Sequence, residues 1–137
     1  MCIRDSYEIV NYLEALAEAS PRMVALGEHA RTYGGRPLVS YAISTPENLA
    51  RLAQIKAARA SIIDPDTKVS LKDQPAVLHM MYSIHGNEPS GANATPLVAY
   101  YLNAAQDEAL LAQLNDCLLY TSPSPRDRTR SRMPSSA

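Results

Sequence analysis

No run in this sequence approaches the roughly 18–20 consecutive apolar residues that a membrane-spanning helix needs, so a spanning segment is excluded. Cysteine is nearly missing as well. The two that occur, Cys2 and Cys117, lie towards the ends, and none falls between Tyr7 and Asp116. That interior therefore carries no disulfide and no cysteine signal about redox compartment. There is no Gly-rich phosphate loop and no Gly-x-Ser-x-Gly nucleophile turn. Asp64, Asp66 and Asp73 fall in one loop without the spacing of a calcium-binding loop, and read as turn and solvation chemistry. No internal repeat is visible. What remains is a chain of 137 residues, 46% hydrophobic, long enough for one modest folded domain.

The ends look foreign to that domain. The opening "MCIRDS" reads as the translated transposase mosaic end of a sequencing library, ATG TGT ATA AGA GAC AG. The closing "CLLYTSPSPRD" reads as its complement continued into common adapter, and "SRMPSSA" as the flow-cell primer. Residues 1–6 and 117–137 are therefore expected to be adapter-derived, the latter disordered and without packed contacts. Excluding such segments from fold reasoning leaves residues 7–116 as the natural part. The basic tail, with Arg126, Arg128, Arg130 and Arg132 against Asp127, then says nothing about partners. Residues 7–116 hold eight Lys/Arg against twelve Asp/Glu, a net charge of −4 with His neutral. Nothing in them points to nucleic acid or to an oligomer. On this reading Met1 is not a natural start, and a missing signal peptide carries no information about compartment.

Within that segment, apolar residues at Tyr7, Ile9, Val10, Leu13, Leu16 and Ala17 predict an amphipathic helix, ended by Ser20-Pro21 because proline disfavours helix at the residue before it. Met23–Leu26 and Leu38–Ser44 read as strands of an antiparallel hairpin around the Gly34-Gly35 turn. Thr45-Pro46-Glu47 is a helix start, with a hydroxyl cap, proline in the first turn and an acid at the positive end; the helix is expected to reach about Ser61. Ala76–Ile84 is nearly all apolar, as a strand buried on both faces would be. Ala92–Leu114 reads as helix with Leu97, Val98, Tyr101 and Leu102 as its apolar stripe, and Pro96 is expected to kink it or delay its start. Tyr100-Tyr101 and Met80-Met81 read as packing residues. Strand, loop and helix in this order favour an α/β architecture.

The loop "HGNEPSG" joins that strand to that helix. His85 and Glu88 supply an imidazole and a carboxylate, both ordinary Zn²⁺ ligands, on a short loop held by rigid backbone on either side. Gly86 and Gly91 allow a tight bend. By spacing alone two readings stand: half of a metal site, or a helix-capping carboxylate with a loop histidine beside it. His79, six residues before His85, would share its strand face but lie about 20 Å away, and reads as a core or sheet-face histidine. His29 belongs to the polar hairpin region and reads as solvated.

"HGNEPSG" after "LHMMYSI", together with "YEIVNYLEALAEASPRM", "LGEHARTYGGRPLVSYAIS" and "PENLARL", resembles the zinc carboxypeptidase (metallocarboxypeptidase) family, particularly its bacterial members. The resemblance implies a three-layer α/β/α fold with a mixed sheet, of which residues 7–116 form the N-terminal part. It implies that His85 and Glu88 bind one zinc ion per intact domain and that the parent hydrolyses peptides with zinc-activated water and a glutamate base. Many members carry Arg between the two ligands for substrate binding; here the position is Asn87. It further implies that the third ligand, a His, the carboxylate-binding Arg and the base lie beyond Asp116. The fragment itself is then expected to be inactive and marginally stable, and the parent periplasmic or extracellular. Related zinc amidohydrolases of the succinylglutamate desuccinylase/aspartoacylase type carry a similar loop, and a non-enzymatic module is a third reading.

Overall fold

The computed structural model describes residues 6–68, 70, 72–82 and 89–123. The first helix, α1 (Ser6–Ala19), buries Ile9, Val10 and Leu13, residues three or four apart and so on one side of a helix. It ends at Ser20, whose N–H still donates to Leu16 O at 2.9 Å. Strands β1 (Met23–Arg31) and β2 (Pro37–Ile43) form the expected antiparallel hairpin. Its turn is closed by Thr32 N–H donating to Arg36 O (2.8 Å) and Gly35 N–H to Thr32 O (2.9 Å). Gly35 sits there at φ +78°, where a side chain would be strained.

The helix expected from Thr45 to Ser61 is two helices, α2 (Pro46–Ala50) and α3 (Leu52–Ser61), interrupted at Arg51. Thr45 caps the first as expected, its hydroxyl accepting from Asn48 N at 3.4 Å. Asp64 then does the turn work read from the sequence: its carboxylate accepts from Asp66 N (3.0 Å) and the Thr67 hydroxyl (2.6 Å), and these bonds hold its pKa below the usual value.

Strand β3 (Ala76–Tyr82) is followed by α4 (Pro89–Ala104), α5 (Glu108–Asp116) and β4 (Cys117–Pro123). The sheet order is β1-β2-β4-β3, with β4 antiparallel to β2 and parallel to β3. It is therefore a mixed sheet. Alternate residues of β2 and β4 serve opposite faces. Val39, Tyr41, Ile43 and Leu119 join α1 together with Ala92, Ala99 and Leu114 in one core. Ala42 and Leu118 meet Ile55, Leu49 and Leu52 in a second. Helices thus cover both faces, the three-layer α/β/α arrangement of the expectation.

Four expectations need correction. Residues 117–123 were to lack packed contacts; they form β4, in the middle of the sheet, with Leu118 and Leu119 buried. The segment "CLLYTS" is apolar and rich in strand formers, and that composition fills a central strand position whatever its origin. β3 was to be buried on both faces, yet it is the edge strand, with Val77, Leu78 and Met81 exposed. The apolar stripe of α4 holds only in part: Val98 and Leu102 are half-buried, Leu102 against the core, but Leu97 and Tyr101 are exposed. Ala92, Thr95, Pro96, Ala99 and Asn103 are buried, whereas Leu97 is 71% exposed and Tyr100 and Tyr101 are more than half exposed. Small residues on the buried side let this helix lie close to the sheet. Finally, one helix from Ala92 to Leu114 is two, because Asp107 accepts from Leu110 N at 2.9 Å and starts α5 afresh.

Candidate metal centre

His85, Asn87 and Glu88 lie outside the described residues. What the structure gives is the frame on either side of them. β3 delivers the chain to Tyr82, and α4 takes it up at Pro89, whose missing N–H costs nothing in a first helical turn. The two elements are packed tightly. Met80, Tyr82, Thr95, Ala99 and Leu119 line a gap with only about 10 Å³ open to water, at the limit of what a single molecule needs. The Tyr82 hydroxyl lies 3.8 Å from Met80 Sδ, and burial pushes its pKa up. Residues 82 and 89, on either side of the six undescribed positions 83–88, thus belong to elements of one core.

α4 carries further detail that the sequence did not signal. Thr95 Oγ1 donates to Gly91 O at 2.8 Å, and the helix begins at Pro89 and continues through the buried Pro96, so its start is not delayed. Asn93 Oδ1 is buried in its second turn without a hydrogen-bond partner. At the far end Asn103 Oδ1 accepts from the Ser20 hydroxyl (2.6 Å) and Asn103 Nδ2 donates to Ala99 O (2.8 Å). Arg22 Nη1 donates to Asn103 O (3.2 Å) and Ala105 O (2.7 Å). These bonds tie the C-terminus of α4 to the α1–β1 corner and so fix the helix axis on which the loop depends.

His29 and His79 are both on exposed positions of their strands. Among the described residues no group of three or more His, Cys, Asp or Glu could hold a metal. Cys117 is a free thiol whose pKa is raised by burial. No helix among the described residues is long and apolar enough to cross a membrane.

No curated protein matches the chain. A sequence model of a family described as zinc carboxypeptidase matches residues 9–124, from the first turn of α1 through the whole of β4.

Proposed function

Because the chain belongs to the zinc carboxypeptidase family, we propose that His85 and Glu88 are two of the ligands of a catalytic zinc ion, and that the parent protein hydrolyses peptide bonds. The observation that carries this reading is the match itself, which spans both the strand before the loop and the helix after it. The donor set fits zinc in kind: an imidazole nitrogen and a carboxylate oxygen, three residues apart, on a loop between two packed elements. In number the pair supplies two donors where catalytic zinc takes three protein ligands, so this reading calls for a third donor from elsewhere in the parent.

Bound zinc supplies Lewis-acid polarisation of a carbonyl and a water acidified towards neutral pH. The chain's own residues orient the site. β3 and α4 place the chain on either side of His85 and Glu88 in one packed frame, which is the support a preorganised site calls for. Asn87, between the two ligands, faces substrate in this reading. As a neutral amide it offers hydrogen bonds where Arg would offer a charge. The third ligand, the general base and the substrate-carboxylate group belong to a part of the parent beyond these residues. The family match favours the peptidase over a desuccinylase-like amidohydrolase.

Zinc titration by calorimetry on the full-length parent, compared with His85→Ala and Glu88→Ala, tests the assignment. Each variant should lose stoichiometric zinc; unchanged zinc content in both would make the loop structural and leave the non-enzymatic reading. For the 137-residue chain we expect peptide hydrolysis at background level. Hydrolysis that follows added zinc and disappears in Glu88→Ala would overturn that expectation.

A further inference from the structure

A pocket of about 270 Å³ opens between α1 and the β1–β2 hairpin, at the opposite end of the chain from the His85 loop. Backbone geometry creates it. β1 is irregular between Ala25 and Gly27 and again between Glu28 and Ala30, and such bulges bend a strand. Gly27 stands at φ +100°, with nothing within 4 Å of where a Cβ would lie. Space is left beside the helix as a result. Val10, Pro37 and Val39 supply apolar lining, and Glu14, Glu28, Arg31 and Tyr41 supply the polar groups.

Those polar groups are not equally available. The Arg31 guanidinium donates to Glu28 Oε2 at 2.7 Å and to Gly35 O at 2.9 Å, so it and Glu28 neutralise one another. Glu14 has no cationic partner among the described residues. Tyr41 is 1% exposed and lines the same pocket as Glu14. Burial, followed by the charge of Glu14, pushes its pKa up to about 12. A phenol and a carboxylate without a cationic partner among the described residues thus share one pocket, beside the apolar side chains of Val10 and Val39.

We propose that this pocket binds a primary alkylammonium group, such as a lysine side chain presented by a peptide. An ammonium has three donors and no acceptor. It can give one N–H to the Glu14 carboxylate and another to the Tyr41 phenolic oxygen, while its methylenes lie against Val10 and Val39. A single carboxylate beside a single hydroxyl suits this compact charge better than the planar fork of a guanidinium. The inference is independent of the metal assignment.

Saturation-transfer NMR on the 137-residue chain tests it, with N-acetyl-lysine-methylamide as the probe. The norleucine analogue, isosteric and uncharged, and the arginine analogue serve as comparisons. We expect transfer to the δ and ε methylenes of the lysine probe with millimolar affinity. Glu14→Gln should weaken it about tenfold, the loss of one charge-assisted contact, and Tyr41→Phe about threefold. Glu14 is solvent-facing, so Glu14→Gln keeps the fold and decides the matter even if Tyr41→Phe does not. Equal binding of the norleucine analogue, or unchanged binding in Glu14→Gln, would overturn the proposal. Tighter binding of the arginine analogue would overturn the choice of ammonium.

Discussion

Ser44 has one hydroxyl proton and two carbonyls to give it to, Leu114 O and Cys117 O, each 2.9 Å away. It also accepts from Asn48 Nδ2 at 3.0 Å, and the same amide donates to Asn115 O at 2.7 Å. Arg51 then donates to Asn48 Oδ1 through Nε and Nη2. The cluster is buried, and it fastens the α5–β4 junction to the end of β2. Ser44→Ala removes the proton that the two carbonyls share and one of the two acceptors of the Asn48 amide, which should cost roughly 1–3 kcal/mol; Asn48→Ala should cost at least as much. Urea denaturation would measure both, and losses below about 0.5 kcal/mol would mean that water replaces the cluster freely. Tyr41 gives a second expectation at this scale. Its folded pKa, about 12, lies above the ordinary 10.0, so its stabilisation is complete below pH 10 and is lost as pH rises towards 12. The full difference is worth about 2.7 kcal/mol. The open pocket beside the ring reduces this to roughly 1–2 kcal/mol. In Tyr41→Phe the stability of the chain should stay flatter between pH 10 and 12 when followed by circular dichroism. Neither network was legible from the sequence, because side-chain partners seventy residues apart leave no local pattern. His85 and Glu88 could be proposed from the sequence because they stand only three residues apart in it.

At the scale of elements, what could be read and what could not divide along one line. α1, the hairpin and the Thr45 cap follow from local chemistry, and each lies where the spacing puts it. α4 does so only in part, because Leu97, Tyr100 and Tyr101 point away while Ala92, Thr95 and Ala99 pack. Hydrophobic size is a good guide to burial only when a helix stands off from its neighbour; a close approach selects Ala and Thr instead. The break before α5 hangs on the Asp107 cap. Asp107→Ala should cost about 1 kcal/mol, with a matching fall in urea midpoint; no change would mean that the helix starts without it. β4 was missed for another reason. Residues 117–123 were set aside on account of their resemblance to adapter, but ancestry does not alter the strand propensity of Leu118 and Leu119 or the space they fill.

The molecule as a whole presents one unprotected border. β3 pairs on one side with β4 and on the other with nothing among the described residues. Val77, Leu78 and Met81 are exposed along it, and Leu97, Tyr100 and Tyr101 stand on the neighbouring helix. Such an edge, without proline or lysine, templates further pairing. We expect the 137-residue chain to self-associate in light scattering, and Val77→Lys with Met81→Lys to suppress this without loss of secondary structure. A parent that continues the sheet past β3 should be monodisperse. Association left unchanged by the double variant would place the contact elsewhere.

The place of β4 between β2 and β3 also sets a timetable. During synthesis the hairpin and β3 emerge well before the strand that joins them, so β3 waits without a sheet neighbour while α4 and α5 are made. The sheet cannot zip up in sequence order, because its last strand must enter between two that are already present. Long-range closures of this kind are slow and leave apolar surface open in the meantime. Assembly of the described sheet therefore depends on residues 117–123, and a ribosome stalled before Cys117 would hold the hairpin and β3 without the strand that joins them.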